Sequence, residues 1–156
     1  MQKVTLQPLF PPLPPEKYEL RVRSGGTLVG RAPLKIDPHG TAVIARLHNK
    51  VGYGFLVGAL WAVSSGDVKE EVEVDGKIYE SLTVNEVVAL GTDELLNSLY
   101  GRLVVKKASS YASQYTVLST WFMPYKKLVY KLRNESDSEV TISYWELRWY
   151  EYTTRP

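Results

Sequence analysis

The sequence predicts an all-β fold: an antiparallel β-sandwich or jelly-roll-like domain of about nine short strands with one short helix near 93–100. An extended Pro-rich arm, residues 1–16, precedes this single domain, residues 17–156. Three observations point there. Apolar and polar residues alternate with period two along most of the chain after Tyr18. Turn-forming Gly, Asp, Asn, Pro and Ser punctuate those runs. The pair Asp75-Gly76 separates two alternating runs, VKEEVEV and KIYESLTV, which is the strongest short-range signature of a β-hairpin.

The arm holds five of the nine prolines, at positions 8, 11, 12, 14 and 15. Proline fixes φ and cannot donate to a ladder, so an extended, polyproline-like segment is expected. Its Leu6, Leu9, Phe10 and Leu13 are candidates to lie on a surface of the same domain or of a neighbouring subunit.

The first strand reads from Tyr18, with Tyr18, Leu20 and Val22 on one face and Lys17, Glu19, Arg21 and Arg23 on the other. Gly25-Gly26 is expected to turn the chain, and a second run then extends to Ile36. Asp37-Pro38-His39-Gly40 has the residue order of a type I turn, and TAVIARLH is a third strand.

Next comes VGYGFLVGALWAV, uncharged and with three glycines. The glycine spacing misses the dinucleotide fingerprint by one residue, and thirteen residues as a helix span about 20 Å, too short for a bilayer. The segment therefore reads as a central strand buried on both sides. Gly52, Gly54 and Gly58 would share one face with Leu56, Leu60 and Ala62, leaving room for a close approach by a C-terminal aromatic or the arm. Tyr53, Phe55, Val57, Ala59, Trp61 and Val63 would share the other face.

After the 68–84 hairpin, Thr92 can cap a helix of about two turns, with Leu95, Leu96 and Leu99 on one side and Gly101 ending it. RLVVKK, YTVLSTWFM, KKLVYKLRN and EVTISYWELRWYEY return to strands, broken at 109–113, Pro124 and 134–138.

Composition narrows the function. With no cysteine, disulfides, thiolate chemistry and Cys-based metal sites are excluded, and two histidines leave little for a histidine-rich metal site. Neither a cofactor nor a catalytic residue is indicated. A net charge of +2 is too small for a nucleic-acid footprint of many phosphate contacts. The N-terminus lacks a signal-peptide core and no apolar run spans a membrane, so the expectation is a soluble protein made in the cytoplasm. Four Asn, three Gln and two Met fit a thermophilic source.

Possible sites have plain structural readings. His39 and Asp37 lie inside one turn, and His48 ends a strand with no serine or acid at a diagnostic spacing. Carboxylates are plentiful at Glu70, Glu71, Glu73 and Asp75, but Glu71, Glu73 and Asp75 share the polar face of a hairpin strand with Lys69, which reads as solvated. The sequon Asn134-Glu135-Ser136 reads as a turn.

Aromatic residues point to association instead: eleven of the eighteen lie between Tyr111 and Tyr152. In YWELRWYEY, Trp145, Leu147 and Trp149 share one face while Tyr144, Glu146, Arg148, Tyr150 and Tyr152 share the other. Such rings anchor subunit interfaces or stack on sugars, and they also fill cores. Leu9, Phe10, Leu13, Trp145, Trp149, Tyr150 and Tyr152 are the candidate interface, whereas a carbohydrate-binding or adhesion module would use Trp121, Trp145 and Trp149 as stacking platforms.

Within residues 115–149, an alternating strand is followed by Asn134-Glu135-Ser136, then Val140-Thr141-Ile142, then Glu146-Leu147. This order resembles the closing hairpin of β-sandwich structural proteins of tailed phages and other viruses. The resemblance implies a virion component of the capsid accessory or decoration type, with no catalytic residue. The expected function is accordingly a non-enzymatic structural protein, a homo-oligomer that also contacts other structural subunits of the particle.

Overall fold

Period-two alternation becomes eleven strands and one helix among the described residues of a computed structural model. The structure describes residues 18–30, 33–49, 52–90, 94–99, 102–111 and 114–154, with side chains described for 33–49, 52–90 and 114–151. The strands are β1 (Tyr18–Gly30), β2 (Leu34–Ile36), β3 (Thr41–His48), β4 (Gly52–Val63), β5 (Val68–Val74), β6 (Lys77–Glu80), β7 (Glu94–Leu99), β8 (Arg102–Tyr111), β9 (Gln114–Tyr125), β10 (Lys127–Asn134) and β11 (Val140–Thr154). The helix α1 (Val84–Ala89) lies between β6 and β7.

These strands form a seven-stranded sheet of order β1-β11-β4-β9-β8-β7, with β2 also on β11, and a four-stranded sheet of order β3-β10-β5-β6. All pairs are antiparallel. The chain crosses between the sheets repeatedly, and one apolar core lies between them. Leu56, Trp61, Trp121, Met123 and Leu147 from the large sheet meet Val72, Val74, Leu128, Tyr130 and Leu132 from the small one. This is an all-β sandwich-like fold.

The hairpin β5–β6 turns at Asp75-Gly76, where φ is 50° and 85°. Two consecutive positive φ values are what a two-residue type I′ turn demands, and Asp-Gly supplies them at little cost. The Asp75 carboxylate also accepts from the Lys126 and Lys127 amides at 3.0 and 2.8 Å, so this turn braces the β9–β10 connection.

Several local expectations give way to tertiary pairing. The short helix is not at 93–100: residues 94–99 are β7, paired with Arg102–Lys107 of β8. It stands instead at Val84–Ala89, opened by a capping box. Thr83 Oγ1 accepts from the Glu86 amide at 3.2 Å, and the Glu86 carboxylate accepts from the Thr83 amide at 3.1 Å. Gly25 and Gly26 do not turn the chain but continue β1 opposite Tyr150 and Trp149, because the fifteen-residue β11 supplies a continuous ladder. Pro124 sits within β9 and does not end it. At His39 φ is +55°, opposite in sign to a type I turn, although the Gly40 amide still donates to the Asp37 carbonyl at 2.9 Å. The arm, residues 1–16, lies outside the described residues.

In β4 the alternation breaks. Gly52, Gly54 and Leu56 face the core, but so do Ala59, Trp61 and Val63, so the three glycines do not share one face with Leu60 and Ala62. The cause is a set of bulges about Val57. β9 places Trp121 and Phe122 opposite that one residue, while β11 passes from Arg148 to Trp149 without pairing it. An extra residue shifts the phase of every side chain beyond it. β4 is central in its sheet, with only one face fully buried.

Candidate functional site

The buried face of β5 carries one carboxylate. Glu70 shares the parity of Val68, Val72 and Val74 and is 0% exposed. Its Oε1 accepts from Ser119 Oγ at 2.5 Å and its Oε2 from Trp121 Nε1 at 2.9 Å and from the Tyr130 hydroxyl. Burial, and then the Glu70 charge, push the Tyr130 phenol well above its ordinary range, so it remains a donor. Three donors converge on an acceptor-only group, the arrangement that satisfies a buried carboxylate without a cation. Ser119 and Trp121 belong to the seven-stranded sheet, Glu70 and Tyr130 to the four-stranded one. All four are buried, and the cluster pins the sheets together with no face open to a substrate. The periodicity of β5 contains this signal, since 70 is an even position in a strand whose even positions are otherwise valines.

The outward faces of the two sheets differ in kind. On the four-stranded sheet, Lys69 Nζ meets Glu80 and Glu135 at 3.1 Å each, Lys131 meets Glu71 and Glu73 at 3.5 Å, and Arg133 Nε meets Glu135 at 2.9 Å. Burial lowers the Lys69 pKa, but its hydrogen bonds to Glu135 and Glu80 outweigh that and leave it raised. Lys69 in turn holds the Glu135 carboxyl below the usual range. This is a laced, solvent-facing ion-pair ladder.

Each sheet presents a groove of about 320 Å³: the one on the four-stranded sheet is lined by charged residues such as Arg46, Glu73, Asp75 and Lys127, whereas the one on the seven-stranded sheet is bounded by Val57, Leu60, Leu118 and Thr120, with Gly58 among its lining residues. Leu118 is 51% exposed, and Tyr150 farther along β11 is 47% exposed. Glu146 and Arg148 form the groove's polar side, with Arg148 Nε on Glu146 Oε1 at 2.6 Å and the Tyr144 hydroxyl on Oε2 at 2.7 Å. Those two donors hold the Glu146 carboxyl below its usual range. Gly58 has no room for a side chain, because a Cβ there would strike the Ser119 carbonyl across the ladder.

The other predicted residues fall as follows. Trp145 and Trp149, expected at an interface, are half-buried and pack against the home core. Trp121 is fully buried, so it cannot serve as a stacking platform. Tyr150 stands exposed, whereas the Tyr152 side chain, Leu9, Phe10 and Leu13 lie outside the described side chains. At Gly54 the approaching group is the Tyr125 ring, which occupies the space a Cβ would take. His39 Nε2 lies 2.7 Å from Asp137 at the exposed turn, and Asn134 organises the 134–138 turn, accepting from the Ser136 amide and donating to the Ser138 carbonyl. That turn carries the chain from β10 in one sheet to β11 in the other and does not close a hairpin.

No cluster of three or more metal-ligating side chains occurs among the described residues, and no described helix is long and apolar enough to cross a membrane. No family model and no curated protein matches the chain.

Proposed function

We propose that this protein is a non-enzymatic structural protein that works by assembly. Copies associate with one another or cover a larger particle through the outer face of the seven-stranded sheet, and the Pro-rich arm passes between neighbours. One observation carries the reading: the groove on the seven-stranded sheet is walled by Val57, Leu60 and Leu118, with Leu118 and Tyr150 about half exposed, whereas on the four-stranded sheet exposed Val43 and Ile78 are interleaved with ion pairs. Apolar surface of this kind gains free energy when another protein surface removes it from water. The ground for a virion as the setting is the residue order of 115–149, which resembles the closing hairpin of phage structural proteins, although its turn here joins strands of different sheets.

Light scattering and sedimentation at micromolar concentration test the reading. An oligomer, or a stable complex with a capsid lattice, is expected. Leu118→Glu should weaken that association at least tenfold while leaving the melting temperature nearly unchanged, because the side chain is largely exposed. A chain that stays monomeric and ignores a capsid lattice overturns it.

A further inference from the structure

The groove is open at the surface, and the chain contains a segment whose chemistry fits it. We infer that the groove between Leu60 on β4 and Leu118 on β9 is the seat of the Pro-rich arm of a second copy, with Leu9, Phe10 and Leu13 as its anchors. This inference rests on the assembly reading above and specifies its contact.

Complementarity is the first argument. A polyproline helix has three residues per turn and no internal hydrogen bonds, so Phe10 and Leu13 line one edge and Leu6 and Leu9 an adjacent one. Two neighbouring apolar edges make a face suited to an apolar sheet groove. The arm's carbonyls need outside donors, and its prolines offer acceptors only. Arg148 stands beside the groove with its side chain 67% exposed and only its Nε engaged on Glu146, which leaves further guanidinium N–H groups to donate.

Reach is the second argument, and it selects the neighbour. The arm joins β1 at Tyr18, an edge strand, opposite Thr154. The groove lies level with Arg148, six positions back along β11, or roughly 20 Å, and two strands across, or roughly 10 Å. To reach it within one subunit, the chain must reverse between Pro14 and Lys17. Leu13 to Leu9 would then advance only about 12 Å from the end of the sheet, well short of the groove. Without such a reversal, a segment of polyproline rise would carry the same residues about 16–28 Å beyond Tyr18, within reach of an adjacent subunit. Reciprocal exchange satisfies both grooves of a two-fold pair.

A photo-crosslinking phenylalanine analogue at position 10 tests this in the full-length protein, using a mixture of heavy- and light-isotope copies that have been dissociated and reassembled. Cross-links from position 10 to 116–120, 57–60 or 146–148 that join heavy to light chains are expected, and Leu118→Glu should reduce them at least tenfold. Cross-links within one chain only, or to the ion-paired sheet, overturn the inference. Light scattering on the same samples separates the two ideas. An assembly that persists when residues 1–16 are deleted, with cross-links elsewhere, rejects the arm's seat and leaves the assembly reading standing, whereas a monomeric wild type rejects both.

Discussion

The hydroxyl of Ser119, on the seven-stranded sheet, donates to the carboxylate of Glu70, on the four-stranded sheet, across 2.5 Å. With Trp121 and Tyr130 it makes Glu70 a polar tie through the middle of an apolar core. Glu70→Ala should cost about 3–5 kcal/mol, because it strands three buried donors and opens a cavity. Glu70→Gln keeps the volume but turns an N–H₂ toward donors, and should cost roughly 1–3 kcal/mol. Urea unfolding followed by tryptophan emission reads both, and a Gln variant as stable as the wild type would contradict this account.

Phe122 occupies the β9 bulge with φ of +48°, where an L side chain other than Asn or Asp is strained. Its ring lies 6.4 Å from Phe55, so removing it loses contact as well. Comparing Phe122→Ala with Phe122→Gly cancels that loss and isolates the backbone. Glycine should be the more stable of the two by about 1 kcal/mol, opposite to the usual order in a strand. Thermal melts of the two variants decide it, and an Ala variant melting higher removes the strain argument.

The Tyr125 hydroxyl is buried over Gly54 without a hydrogen-bond partner, and burial raises its pKa far above the ordinary phenol range. Tyr125→Phe deletes an unsatisfied polar atom and keeps the ring, so stability should hold or rise by up to about 1 kcal/mol. Gly54→Ala forces the ring aside and should cost roughly 1–3 kcal/mol. Equal and large losses from both would show that the hydroxyl does have a partner.

Lys69 holds Glu135 below the usual carboxylate range through a 3.1 Å ion pair. A depressed folded pKa stabilises the protein above the unfolded value near 4.5, and that contribution disappears as pH falls through the folded pKa. Lys69→Met should therefore lower stability at neutral pH by no more than about 1 kcal/mol, with the difference vanishing toward pH 3. Melting curves of wild type and variant across that range provide the check; parallel curves would mean that the pair contributes nothing.

Much of the fold was legible because it rests on nearest-neighbour chemistry. Asp75-Gly76 takes the two positive φ values of its hairpin, TAVIARLH is β3 without adjustment, and the polar 134–138 segment is a turn. The candidate site was less legible. Leu118 is a single apolar residue among Thr116 and Thr120 on an outward face, and nothing local distinguishes it from a core leucine. Trp121 and Trp149 looked equally available, yet one is buried beside Glu70 and the other half-buried on the core.

By itself the sequence determined that this is an all-β chain, because alternation and turn residues act over a few neighbouring residues. Only the tertiary structure decided which faces are inside. The bulge at Val57 in β4 and the register shift at Ser143 in β11 move the alternation by one residue, and such a shift exchanges core and surface for everything beyond it. The local alternation of β5 places Glu70 on the valine face, but only the stacking of two sheets buries that face and supplies the donors that satisfy the carboxylate, from strands about fifty to sixty residues away.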